Sequence, residues 1–427
     1  MQHDARKKEN NMESINSNKR IANIDYLRAI LMVMVIIHHA FLAYTPSGYG
    51  ALINDTNNVK AFEFITLYLD TFFMSLFFFI SGLFTLKSIE KKGIKRFISD
   101  RFIRLMIPFT LGILIINVFG YYISFMTAYN IPLTFKNFGE YIFGSLAIVP
   151  AGPLWFLWVL FVFDIIVLAI YKLKKNWIER LRNSDKKFYT HTVRFLLIFI
   201  AIAYGSYSLF ESIGVSGFVE ILPPFAVQIN RIGLYFFFFL VGAMIGAFGI
   251  ERSVVGKDSR LSTFWWLFLL ISILCTFALK IVIGIIFGGG TQGWLISLLI
   301  PIVRLIFILS CVFASFGFIG LFNRIVSRKN KLCDTIANNA LGIYVVHYTM
   351  VTIFQYLLLS VNISGVFKGI IVVVSSFLTS LGIVLLLKKV PFLRLAVGGV
   401  YKEKARIVLV SMNSILLMVI VIMNVIK

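Results

Sequence analysis

Runs of about 20 apolar residues recur along the whole chain, each long enough to cross a bilayer as a helix. They fall near 24–44, 62–86, 105–127, 154–171, 194–210, 231–249, 264–287, 294–321, 338–360, 367–387 and 406–426. In lipid every backbone N–H and C=O must be satisfied within its own segment or in a closed barrel. Eleven such runs therefore predict an all-α, polytopic helical bundle. The composition agrees: hydrophobic residues make up 59% and charged residues only 14% of the 427. Soluble domains have about 45–50% and about 25%. A soluble enzyme, a disordered tail and a secreted disulfide scaffold are excluded as readings of the whole chain.

The net charge of +22 would suggest a nucleic-acid partner in a soluble protein. Here its distribution points to the bilayer. With the N-terminus in the cytosol, 33 of the 41 Lys and Arg fall on the cytosolic side, in the tail and in loops 87–104, 172–194, 250–263, 322–337 and 388–406. Lys60, Lys136, Arg231, Lys368 and Lys427 fall on the other side, and Arg28, Lys280 and Arg304 lie within segments. Every cytosolic connection is basic, as the positive-inside rule requires, and the odd number of spans puts the C-terminus outside. Trp155, Trp158 and Trp294 then fall near the external interface, as an aromatic belt would. No nucleic-acid partner is expected. The first segment is too long for a signal-peptide core and is read as retained. Cys275, Cys311 and Cys333 suggest neither disulfide nor metal site, and no phosphate-loop, dinucleotide or zinc motif occurs, so no metal is expected.

Ionisable groups in hydrocarbon are costly, so each is a functional candidate. The first segment carries Asp25, Arg28, His38 and His39. Arg28 and His39 are eleven residues apart, about three turns plus roughly 20°, so they share a face about 16 Å apart along the axis. His38 sits about 80° off that line. An arginine beside a bundle mouth can equally snorkel to head groups. Asp70, in the second segment, lies about 24 Å from that helix's cytosolic end, and His39 about 22 Å from its own. The two are predicted to pair, because a carboxylate bonded to one imidazole nitrogen leaves the other as a base. Arg101 and Arg104, spaced i, i+3, are predicted to share a face at the cytosolic mouth of the third helix, where they suit anions or simply lipid head groups. His347 lies in the ninth helix between Tyr344 and Tyr348. Lys280 and Arg304 stand too isolated to assign.

Several of these residues sit in an ordered series of short motifs. The series is Ile24-Asp25-Tyr26-Leu27-Arg28 with His39, Met74 to Gly82, Arg101-Phe102-Ile103-Arg104 with Pro108, Pro153-Leu154-Trp155-Phe156-Leu157, Ile343 to His347, and Val390-Pro391-Phe392-Leu393-Arg394. In this order and over residues 22–395, the chain resembles the acyltransferase-3 family of membrane acyltransferases, in particular the branch that acts on periplasmic glucans. The resemblance implies a ten-helix membrane domain at 22–395, preceded by a polar tail at 1–21. A linker and an additional helix at 396–427 lie outside the shared core. It further implies an enzyme that moves an acyl group, of acetyl or succinyl class, from cytosolic acyl-CoA to a hydroxyl of an envelope or extracellular glycan. Acyl-CoA is then a co-substrate, and no bound cofactor is implied. Carried over by position, the functional residues are Arg28, His39, Arg101 and Arg104. Together with the residue chemistry, this makes His39 and Asp70 the candidate catalytic residues. Arg28, Arg101, Arg104, Trp155 and His347 are the candidate substrate-binding residues. A glycan flippase or solute transporter, and a non-catalytic envelope-assembly protein, remain the rival readings of the same polar groups.

Overall fold

The computed structural model describes residues 2–145, 150–182, 191–213, 217–288, 292–326, 330–391, 393–399, 401 and 405–426. Ten helices among them are long and apolar enough to cross a membrane. They are α1 (Gln2–Leu42), α2 (Lys60–Lys92), α3 (Ile94–Ala128), α4 (Gly152–Leu173), α5 (Thr192–Glu211), α6 (Ile229–Phe248), α7 (Trp265–Phe287), α8 (Gly293–Ile325), α9 (Lys331–Leu358) and α10 (Gly365–Leu387). The span within α1 is Ala22–Leu42. The last apolar run also folds as a helix, α11 (Arg406–Ile426). It packs Leu409, Val410 and Leu416 against a small cluster formed by Ile103, Ile107, Leu111, Leu395 and Ala396.

The helices alternate in direction, so loop ends divide the bundle into two faces. One carries the basic connections around residues 93, 249–264 and 388–391. The other carries the sparsely basic ones around 43–59, 129–151 and 359–364. The sequence reading missed one element on this second face, a β-hairpin of β1 (Phe218–Leu222) and β2 (Phe225–Gln228). Pro223 and Pro224 make its turn between two short runs that contain Phe, Val and Ile, residues that favour strands.

The centre is a seam between α2 and α6. A Cβ on Gly82 would lie 2.1 Å from Phe239 O, one on Gly242 2.2 Å from Phe79 O, and one on Gly246 2.0 Å from Leu83 O. Only glycine permits these backbones to touch, as small residues four apart commonly do between membrane helices. Phe72, Phe78, Phe79, Phe238, Phe239 and Phe316 fill the space around the seam and are fully buried.

Helix α3 is not uniformly α-helical: Phe102–Met106 and Gly112–Asn117 are π-helical. The wider turn changes which residues share a face, and it has a consequence for the arginines described next.

Candidate active site

Helix α1 ends at Leu42, immediately after the histidine doublet. Its last carbonyls therefore have no partner within the helix. Gln355 of α9 supplies one, donating Nε2 to His39 O at 3.0 Å and to Ala40 O at 3.2 Å. Thr45 Oγ1 closes Leu42 O at 2.8 Å. The end of α1 is thus fixed to α9, and His39 with it.

His39 lines a cavity of about 470 Å³ on the sparsely basic face, together with His38, Asp70, Trp155, Tyr121, Tyr348 and Tyr344. The hairpin closes one side. Phe218 pairs with Gln228 and Glu220 with Ala226 across the ladder. Residues two apart on a strand, and those opposite them, share a face. That face, Phe218, Glu220, Ala226 and Gln228, is the one that lines the cavity. The wall opposite is a tight turn at Gly152, whose φ of +52° suits glycine and whose Cβ would meet Tyr121 Oη at 2.8 Å. The following Pro153 accepts a hydrogen bond from Tyr344 Oη. Trp155, only 4% exposed, belongs to this wall and not to an interfacial belt; its ring lies 5.6 Å from that of Phe218.

Within the cavity, His39 packs its ring 4.9 Å from Tyr348, 5.2 Å from His38 and 5.4 Å from His347. Its Nδ1 is buried and has no hydrogen-bond partner among the described residues. That leaves Nε2 as the nitrogen facing the cavity. His38 also lines the cavity, so its angular offset does not remove it, but its Nδ1 is engaged by Thr66 O at 3.2 Å. His347 lies behind the wall, fully buried, with Nδ1 2.6 Å from Tyr344 O.

The expected Asp70–His39 pair is not formed. Asp70 does line the cavity, but its Oδ2 accepts from Arg231 Nη2 of α6 at 2.7 Å, and its backbone carbonyl accepts from Nη1 at 3.2 Å. Depth along a helix follows from residue count, but rotation about the axis does not, and the packing of α2 turns Asp70 toward α6. Arg231 had looked like a loop cation. Lys280 and Arg304, isolated in sequence, are also partnered: Lys280 Nζ lies 3.0 Å from Glu63 Oε2, and Arg304 pairs with Glu211. Lys368 and Asp55 form a fourth pair at 2.6 Å, both essentially buried.

The remaining candidates lie at the basic face, outside the cavity lining. Arg28 Nη2 bonds Asp25 Oδ1 at 2.6 Å and is about two-fifths exposed. Arg101 and Arg104 do not share a face. Arg101 points inward, its Nε 3.2 Å from Oδ2 of the buried Asp164 in α4, while Arg104 is exposed. The π-turn that begins at Phe102 separates them by more than the α-helical spacing predicts. Asp164 also accepts from Thr85 Oγ1 at 3.0 Å. Nearby, Asp100 accepts from Lys92 Nζ at 2.7 Å and from Tyr401 Oη at 2.5 Å. Burial, followed by this bond to a carboxylate, pushes the Tyr401 phenol above its usual range.

Missed in sequence were Glu220, Gln228 and Arg231. Short runs of strand-favouring residues on both sides of Pro223-Pro224 were the available signal for the first two. For Arg231 it was a single cation at the edge of an apolar run that follows an Asp-bearing helix.

A family model described as an acyltransferase domain matches residues 21–389. Glucans biosynthesis protein C of Escherichia coli strain K12 is 24% identical over 346 residues, covering 78% of this chain and 82% of that protein. The same protein from the O1:K1 and O45:K1 strains matches to the same extent. No solved structure matches the chain. The match spans nearly the whole bundle, from the start of the first span to the end of the tenth, and the chain therefore belongs to the acyltransferase domain family as a multi-pass membrane O-acyltransferase.

Proposed function

We propose that this enzyme takes an acyl group of acetyl or succinyl class from acyl-CoA bound at the basic face and places it on a hydroxyl of a glycan held in the cavity at the opposite face. The observation that carries this reading is the cavity itself. A histidine with a cavity-facing Nε2 sits among aromatic rings, phenols, two carboxylates and an amide. Aromatic faces and polar side chains of this kind suit a sugar, which offers apolar ring faces edged by hydroxyls.

In the reaction, His39 Nε2 removes the proton of the acceptor hydroxyl as its oxygen attacks the thioester carbonyl. The new C–O bond forms, the C–S bond breaks, and the proton passes from His39 to the departing CoA thiolate. His39 is in the last turn of α1, where the partial negative charge of the helix end favours the cation that forms during transfer. Tyr121 and Tyr348 offer hydroxyl donors to the oxyanion.

Donor phosphates are held by Arg28, Arg101 and Arg104. Arg101 contacts Asp164 through Nε, which leaves its terminal amino groups for a phosphate. Asp70, tied to Arg231, serves as part of the cavity wall. The basic face is cytosolic, so the enzyme resides in the plasma membrane with its N-terminus inside, its C-terminus outside and its cavity open to the exterior. In a cysteine-free background, a cysteine at the exposed Lys136 should react with an impermeant thiol reagent in intact cells, and one at the exposed Lys257 should not. The reverse pattern sinks the orientation.

The direct test of function is detergent-purified protein given isotope-labelled acetyl-CoA or succinyl-CoA and envelope glycan, with the product read by mass spectrometry. Acyl ester on glycan hydroxyls is expected. Purified, folded protein that leaves every acyl-CoA intact overturns the reading.

A further inference from the structure

We propose that His347, on α9, positions His39 for catalysis, in the role that sequence reasoning gave to Asp70. The inference rests on the reading of His39 as the base. Two buried nitrogens carry it. His39 Nδ1 and His347 Nε2 are both buried without a hydrogen-bond partner among the described residues, and their rings lie 5.4 Å apart between centroids, inclined by 40°. Imidazole edges at that spacing are within reach of each other through a small ring rotation.

Their protonation states are complementary. Tyr344 O, 2.6 Å from His347 Nδ1, can only accept, so the proton of neutral His347 sits on Nδ1. His347 Nε2 is then an acceptor with nothing to accept. His39 has one nitrogen at the cavity and one in the protein interior. If the interior Nδ1 carries the proton and donates it to His347 Nε2, both buried atoms are satisfied and the lone pair stays on Nε2, where the acceptor hydroxyl arrives. The opposite tautomer would leave a protonated Nε2, which cannot act as a base.

Tyr348 meets the His39 ring at 4.9 Å and lines the cavity, and three further polar neighbours are committed elsewhere. Asp70 is held by Arg231, His38 by Thr66 O, and Gln355 by the carbonyls of His39 and Ala40. The Gln355 bonds also fix the height of the α1 end against α9, and so keep the two rings level. A carbonyl, His347 and His39 thus form a relay of orientation with no carboxylate in it. No proton moves along it during turnover, and the base returns to the same tautomer after each transfer.

The test uses the whole purified enzyme and two amide variants. Glutamine places its amide oxygen near the imidazole Nε2 position, while asparagine reaches only the Nδ1 position. H347Q should therefore keep an acceptor for His39, and H347N should keep only the contact with Tyr344 O. We expect H347N to lose roughly 100-fold in kcat with KM for acyl-CoA changed less than twofold. H347Q should stay within about tenfold of wild type. A purely structural role would instead move both variants together and lower thermal stability along with activity. Equal kcat in folded H347Q and H347N overturns the proposal. Full activity in H39A would instead remove the reading beneath it, so the two failures are distinguishable.

Discussion

Around the cavity, His39 and His347 each leave a buried nitrogen without a partner among the described residues, whereas four acids in the same region are each paired with a cation. Asp55 holds Lys368, Glu63 holds Lys280, Asp70 holds Arg231 and Glu211 holds Arg304. All four pairs lie in the same half of the bundle as the histidines. A charge in a low-dielectric setting must be compensated or it destabilises the fold. A neutral imidazole edge can stay open at a modest cost and remain available to a reacting molecule. The pairs therefore suit a role in holding the fold together, and the open imidazole of His39 suits the role of base proposed for it.

The largest expected effect tests the imidazole side of this contrast. H39A should lower acyl transfer by ~10³-fold or more, within the range ascribed to a positioned base, while the melting temperature in detergent stays near wild type. An active H39A enzyme breaks the contrast at its centre. The ion-pair side should behave in the opposite way. K368M removes the cation beside the carboxylate of Asp55, which is 3% exposed in its side chain, and should cost about 3–5 kcal/mol of stability. The double variant K368M/D55L should recover most of the loss. A K368M protein as stable as wild type would show that the pair is not structural.

Next in size is the basic face. R101Q/R104Q should weaken acyl-CoA binding by more than about tenfold, the loss expected when charge-assisted bonds to phosphate are removed. Because R101Q also strands the buried Asp164, the measurement is repeated with D164N added. Unchanged CoA affinity in the folded triple variant returns these arginines to a role at lipid head groups. The smallest effect is expected from H38A, below about threefold in kcat, since its Nδ1 is already engaged by Thr66 O and His39 alone has the open geometry. A loss as large as that of H39A would mean that the doublet's roles are exchanged.

Much of this architecture was legible in the sequence, because lipid imposes lengths. The eleven apolar runs all fold as helices, ten of them long and apolar enough to cross and the last a shorter apolar one, and the depth of His39 follows from counting residues along α1. The partners of the charged groups were not legible. Asp70 stands at the depth of His39, yet its rotation is set by how α2 packs, and packing gives it to Arg231, 161 residues away. Arg101 and Arg104 share a face only if α3 is a regular α-helix there, and the π-helical stretch Phe102–Met106 makes it otherwise. The hairpin escaped because runs of four or five strand-favouring residues without apolar–polar alternation are a weak signal beside apolar runs of about 20. It brought Glu220 and Gln228 to the cavity unannounced.

The four ion pairs also constrain the order of assembly. In each, the carboxylate is translated first: Asp70 precedes Arg231 by 161 residues, Glu63 precedes Lys280 by 217 and Asp55 precedes Lys368 by 313. A chain emerging into the bilayer therefore commits its early acids before the cations that neutralise them exist. The nascent α2 carries Glu63 and Asp70 before their partners on α7 and α6 exist, and the loop before it carries Asp55 before Lys368 of α10. A chain that ends before α10 lacks the lysine that neutralises the buried Asp55.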